Sequence, residues 1–223
     1  MQWTHVLFDL DGTLTDPKVG ITRSIQYALA QMGIHEPDPD TLVHFIGPPL
    51  HGVFMSEYGF DEAEAWQAVE HYRVRFRAEG LYENVPYPGI HALLQALVEC
   101  GLKLYMATSK PWVFANEISR HFDMTGYFQA IYGSELDGVR TDKSELIGHL
   151  LAIEGLRAED CLMIGDRRHD LIGARANGVA AGGVLYGYGS REELEREAPA
   201  YLFESVADLQ MRLCGERPAV QQG

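Results

Sequence analysis

The chain has 223 residues, of which 46% are hydrophobic: enough apolar surface for a packed core, and too much for disorder. A formal net charge of −14 repels nucleic-acid polymers and anionic membranes over long range, so neither is an expected partner. No apolar run approaches the ~20 residues of a membrane span, no basic-then-apolar leader opens the chain, and Cys100, Cys161 and Cys214 are odd in number and too widely spaced for a zinc or disulfide pattern, so a reducing, cytoplasmic setting is expected.

Thr4 to Leu10 reads as a buried strand that ends in Asp9-Leu10-Asp11 and then Gly12. Two carboxylates at one strand end are costly unless a cation sits there, which points to a divalent metal. Asp16 and Pro17 start a helix, as N-cap and first helical residue. Ile21, Ile25, Ala28, Leu29 and Met32 continue it at helical spacing to Gly33. The pattern stays helical to about Asn84, broken by Gly47-Pro48-Pro49 and punctuated by Gly59 and Gly80. The segment from Phe45 to Leu50 is rigid and apolar; it either lines a cleft entrance or only turns the chain. Arg23, Arg73, Arg75 and Arg77 read as solvated, with Glu70 or Glu79 as partners. Trp66, Tyr72 and Phe76 fit the core of this helical block.

Val85 to Gly89 reads as linker and turn, followed by a helix over Ile90–Cys100. Leu102 to Ala107 is a buried strand ending in Thr108-Ser109-Lys110, with Lys110 expected to be solvated. A helix over 113–122 and a short strand at 130–132 precede a helix from Ser144 to Glu154, with Lys143 at its start. A cation is mildly out of place at a helix N-terminus. Asp142 beside it suits a cap, and Arg140 is a weaker cationic candidate. Asp160 to Ile164 is a buried strand ending in Gly165-Asp166, before a helix over 171–177. Strands at 179–186 and 200–203, a helix to about Leu213 and a frayed tail after Gly215 complete the chain. Gly182, Gly183, Gly187 and Gly189 do not fit a dinucleotide-binding spacing and read as strand and tight loop.

Strands that alternate with helices and are apolar on both faces imply a parallel sheet covered on both sides, with ligands bound beyond the carboxyl ends of the strands. Asp9 and Asp11, Thr108 and Ser109, and Asp166 and Asp170 all fall at such ends. On an extended chain Asp11 would point the same way as Asp9. A carboxylate can attack a phosphoryl group if a metal and cations neutralise the charge that builds up. Asp166 and Asp170 offer the oxygen donors Mg²⁺ prefers. Gly12 permits a sharp turn that leaves amides free to face an anion. His169 reads as a surface or supporting histidine rather than a ligand.

Taken together, Asp9 to Asp16, Thr108, Lys143 and the run Gly165 to Asp170 resemble the haloacid dehalogenase superfamily, in the order that family shows and over nearly the whole chain. The resemblance implies an α/β Rossmann-like core (residues 1–15 and 86–223) with a small helical cap (16–85) inserted after the first strand. It implies a Mg²⁺-dependent phosphatase of small phosphorylated metabolites, similar to phosphoglycolate phosphatases and 5′-nucleotidases. Asp9 would be the nucleophile that forms an aspartyl-phosphate, and Asp11 the general acid and base. Thr108 and Lys143 would hold the phosphoryl group, with Gly12 and Ser109 also binding substrate. Asp9, the Asp11 carbonyl, Asp166 and, through water, Asp170 would bind the metal. The dehalogenase branch lacks an aspartate at the position of Asp11. The phosphonate-cleaving branch needs a cap lysine, and no lysine lies between Lys18 and Lys103. A phosphomutase or a non-catalytic phospho-acceptor would share much of the same set.

Overall fold

A computed structural model describes residues 3–215, so the tail after Gly215 lies outside the described residues. The chain begins with β1 (His5–Phe8) and β2 (Thr15–Asp16), then α1 (Lys18–Gln31), α2 (Leu50–Tyr58), α3 (Glu62–Ala78) and β3 (Val85–Pro86). There follow α4 (Ile90–Glu99), β4 (Lys103–Pro111), α5 (Trp112–His121), β5 (Phe128–Ser134), α6 (Lys143–Glu154) and β6 (Cys161–Gly165). The last elements are α7 (Arg168–Ala176), β7 (Ala180–Val184), α8 (Arg191–Glu195), β8 (Tyr201–Phe203) and α9 (Val206–Cys214).

Six strands form one parallel sheet in the order β5-β4-β1-β6-β7-β8. Its strands obey a two-residue alternation between two apolar layers. Val6 and Phe8, Leu104 and Met106, and Leu162 and Ile164 join the layer covered by α4, α5 and α9. Leu7, Tyr105 and Ala107, and Cys161 and Met163 join the layer covered by α6 and α7. Both faces are dry, which is why the strands read as continuous apolar runs. The chain leaves β1 for β4 on one side and later returns to β6 on the other. The crevice for a ligand therefore opens at the carboxyl end of β1.

The helical stretch between β2 and β3 sits over that crevice. Thr15–Asp16 pairs antiparallel with Val85–Pro86, so the chain enters and leaves the insertion side by side. A capping box of Asp61 and Glu64 starts α3.

Three local expectations are corrected. β1 ends at Phe8 rather than Leu10, because the Leu10 carbonyl accepts the N–H groups of Thr13, Leu14 and Thr15 and so starts a turn. Helix α1 begins at Lys18, with Pro17 as its N-cap residue, while Asp16 Oδ1 accepts the Lys18 N–H at 2.9 Å. β4 runs on to Pro111. Its pairing jumps from Thr108 opposite Gly133 to Pro111 opposite Ser134, so Ser109 and Lys110 bulge out of the ladder.

Within the insertion, α1 meets the short turn that follows α3 at backbone contact. A Cβ on Gly20 would lie 2.2 Å from the Gly80 carbonyl oxygen, which cannot move without shifting the chain. Gly20→Ala is therefore expected to destabilise the protein by ~1–3 kcal/mol through overpacking. Denaturant melts of the variant and parent would measure it, and equal midpoints would refute the contact.

Candidate active site

The alternation that built the core also aims the site. Asp9 follows Phe8, so it lies on the same face as Leu7, the face that α6 and α7 cover. Lys143 is the first residue of α6, held there by Asp142, whose carboxylate accepts the N–H groups of Ser144 (2.8 Å) and Glu145 (3.2 Å). Its Nζ meets Asp9 Oδ1 at 2.8 Å, the Ala107 carbonyl at 2.7 Å and Asp170 Oδ1 at 2.6 Å. Burial by itself would lower the lysine's pKa, but Asp170 and Asp9 raise it to about 12.

Asp166 and Asp170 flank the turn from β6 into α7. Asp170 Oδ2 accepts the Arg167 N–H at 3.1 Å, so this carboxylate also caps its helix. Asp166 is fully buried, and its Oδ2 accepts the Tyr188 N–H at 2.8 Å. Burial raises Asp166 well above the ordinary carboxylate range, with Asp170 and Asp9 adding to the effect. Burial likewise pushes Asp170 up to about 6 against the pull of Lys143. Asp9, Asp166 and Asp170 each bring a carboxylate oxygen within 4.8 Å of the others. Three buried acids facing one lysine are an all-oxygen donor set with uncompensated negative charge. That set fits a hard divalent cation.

Asp11 behaves differently from Asp9. The chain has already left the strand, and the two carboxylates take different lysine partners. Asp11 Oδ2 pairs with Lys110 Nζ at 2.7 Å, while its buried Oδ1 has no partner among the described residues. Burial raises the Asp11 carboxyl, with Lys110 opposing and the charge of Asp9 a lesser contribution. Its side chain is not part of the three-carboxylate cluster.

Lys110 was expected in solvent and is buried instead: the bulge in β4 turns it inward, 4.4 Å over the Phe76 ring. Arg73 is also buried, because α3 packs on the connection after β5. It donates to Glu70, as expected, and also to the Leu136 carbonyl at 2.5 Å. Arg23 and Arg75 pair with Glu83, and Arg140 with Glu135.

Thr108 is buried at the cleft, its Oγ1 accepting the Lys110 N–H at 3.3 Å. The Ser109 hydroxyl donates to the Thr141 carbonyl at 3.0 Å, which ties down its only proton. Gly12 also departs from expectation. Its N–H donates to the Thr15 carbonyl at 2.8 Å and is not free to face an anion. What Gly12 supplies is room: at φ +81, a Cβ there would lie 2.2 Å from Asp166 Oδ2.

The cleft between insertion and sheet edge is lined by Asp9, Asp11, Thr108 and Lys143. The segment 45–50 does line it, as do Trp66, Tyr72 and half-buried His169. Sequence reasoning missed Tyr188 and undervalued Lys110. Nothing local marks either of them; only the strand register and the loop after β7 bring them to the site.

The chain is similar to known proteins over most of its length. Residues 6–184 match the family described as haloacid dehalogenase-like hydrolase. The chain is 62% identical over 213 residues to a 5′-nucleotidase of Pseudomonas aeruginosa, covering 96% of each. It is 38% identical over 191 residues to the tyrosine-protein kinase PtkA of Mycobacterium tuberculosis, covering 86% of this chain and 65% of that one. A crystal structure of a predicted phosphatase from Clostridium acetobutylicum matches it with a TM-score of 0.93 and 44% identity, covering 96% of this chain and 99% of that one.

The acid cluster makes stability depend on pH. An acid raised in the folded state stabilises that state while protonated and loses the effect as pH rises through its folded pKa. Without metal, the melting temperature should therefore fall as pH climbs from the ordinary 3.8 through about 6, where Asp170 ionises. Millimolar Mg²⁺ should flatten or reverse that fall. Identical pH profiles with chelator and with Mg²⁺ would contradict a cation among these carboxylates.

Proposed function

This chain belongs to the haloacid dehalogenase-like hydrolases and is a phosphatase; on that premise we propose that it is a Mg²⁺-dependent nucleoside 5′-monophosphatase working through an aspartyl-phosphate. The observation that carries the mechanism is the division of the first two aspartates between two lysines. Lys143 Nζ pairs with Asp9 Oδ1 at 2.8 Å and holds the attacking carboxylate in place. Burial raises Asp11 and leaves its Oδ1 unpartnered, the place for a proton that a general acid must give up.

Asp9 attacks phosphorus with a carboxylate oxygen. As the new O–P bond forms, the bond to the leaving oxygen breaks, and Asp11 transfers its proton to that oxygen. Asp11, now ionised, takes a proton from water, which attacks the aspartyl-phosphate and releases phosphate. Lys143 and the Thr108 hydroxyl hold the phosphoryl oxygens, with the Ser109 main chain beside them. Asp9, Asp166, the Asp11 carbonyl and, through water, Asp170 would hold Mg²⁺, which when bound neutralises charge on the transferring group. The same reading divides the chain into a core of residues 1–15 and 86–223 and a cap of 16–85, which the antiparallel pairing of Thr15–Asp16 with Val85–Pro86 supports. The name of the 62% identical relative favours a nucleoside monophosphate over phosphoglycolate.

Asp9→Asn should reduce phosphate release to background while circular dichroism and melting stay near the parent's; retained turnover would reject Asp9 as nucleophile. Excess chelator should stop phosphate release and added Mg²⁺ restore it. In a screen over nucleotides, sugar phosphates and phosphoglycolate, nucleoside 5′-monophosphates should give the highest kcat/KM. A clear preference for phosphoglycolate would overturn the substrate class.

A further inference from the structure

The helical insertion meets the sheet edge at two places where an arginine on one side donates to a main-chain carbonyl on the other. Arg167, directly after Asp166, sends Nη1 to the Ile46 carbonyl of the insertion at 2.6 Å. Arg73 of α3 sends Nη2 to the Leu136 carbonyl, in the connection between β5 and α6, at 2.5 Å. Each guanidinium is aimed by a carboxylate of its own side. Glu193 accepts from Arg167 Nε at 2.9 Å, and Glu70 from Arg73 Nη1.

The gripped segments suit such a hold. Between Phe45 and Leu50 there is no polar side chain, and Pro48 and Pro49 have no N–H, so carbonyls are most of what this stretch offers a polar partner. Gly47, at φ +105, lets the backbone lie against the arginine: a Cβ there would be 3.0 Å from Arg167 Cγ. Both segments wall the cleft, with Phe45, Pro48 and Leu50 on one side and Glu135, Gly138 and Thr141 on the other. The phosphoryl end of the cleft is formed by other residues, Asp9, Thr108 and Lys143.

We propose that Arg73 and Arg167 are positioning residues that clasp these two segments in place around the leaving group, and so set which phosphate esters the enzyme accepts. The inference rests on the phosphatase reading. A rigid wall binds a leaving group without the cost of ordering the wall each time. A loosened wall costs affinity only for esters large enough to touch it.

The test uses the full chain carrying Arg167→Gln, Arg73→Gln or Glu193→Ala; the last changes a side chain that does not line the cleft. Amide hydrogen exchange at Ile46 and Gly47 should speed up by about tenfold in Arg167→Gln and Glu193→Ala, and at 136–141 in Arg73→Gln. With adenosine 5′-monophosphate, KM should rise about tenfold and kcat change by less than about twofold. With acetyl phosphate, which has a short leaving group, both constants should stay near the parent's. Unchanged exchange in both segments, or equal losses on the two substrates, would overturn the clasp. If the parent hydrolyses neither substrate, the phosphatase reading fails, and the exchange measurement decides the clasp by itself.

Discussion

The sheet edge depends on where one ammonium group sits. Lys143 Nζ has three N–H groups and three oxygen partners, from Asp9, Ala107 and Asp170. Those oxygens stand at the end of β1, within β4 and in the first turn of α7, and the lysine itself opens α6. Four elements far apart in the chain are thus tied by one buried cation. Removing this lysine would be destabilising by ~3–5 kcal/mol, because the acids it serves would stay buried without compensation. Even with the lysine in place, Asp9, Asp166 and Asp170 leave an excess of negative charge, and burial raises two of those carboxyls. That excess is the physical demand a divalent cation answers.

The second lysine explains how adjacent aspartates come to differ. Lys110 is carried into the cleft by a bulge in β4 and capped by the Phe76 ring of the insertion. It takes Asp11 away from the three-carboxylate cluster. Burial raises the Asp11 carboxyl, while Asp9 pairs with Lys143. The difference between the two acids lies in their surroundings, since residue type and strand proximity are the same.

A further support runs behind the site. The Tyr188 N–H holds Asp166, and its hydroxyl donates to Asp16 in β2. Two residues earlier the Tyr186 hydroxyl donates to the Thr13 carbonyl, and its ring packs edge-on against Tyr87, just past β3. The loop after β7 therefore braces an acid of the cluster together with both linkers to the insertion. Its tightness needs glycine: a Cβ on Gly187 would lie 2.3 Å from the Gly12 carbonyl oxygen.

Periodicity and composition by themselves determined the layered α/β plan, the helical insertion after the first strand and the strand ends that carry Asp9, Thr108 and Asp166. These follow from local rules: apolar runs make buried strands, and chain direction places their carboxyl ends on one edge. Lys143 was legible through the family resemblance, with the mild misfit of a cation at a helix start in support. Tertiary structure alone decided the burial of Lys110 and Arg73, the engaged amide of Gly12, the separate fates of Asp9 and Asp11, and the part played by Tyr188. Each of those depends on strand register or on a segment distant in the chain, and register is set by the packing of whole elements, which no short stretch of residues encodes.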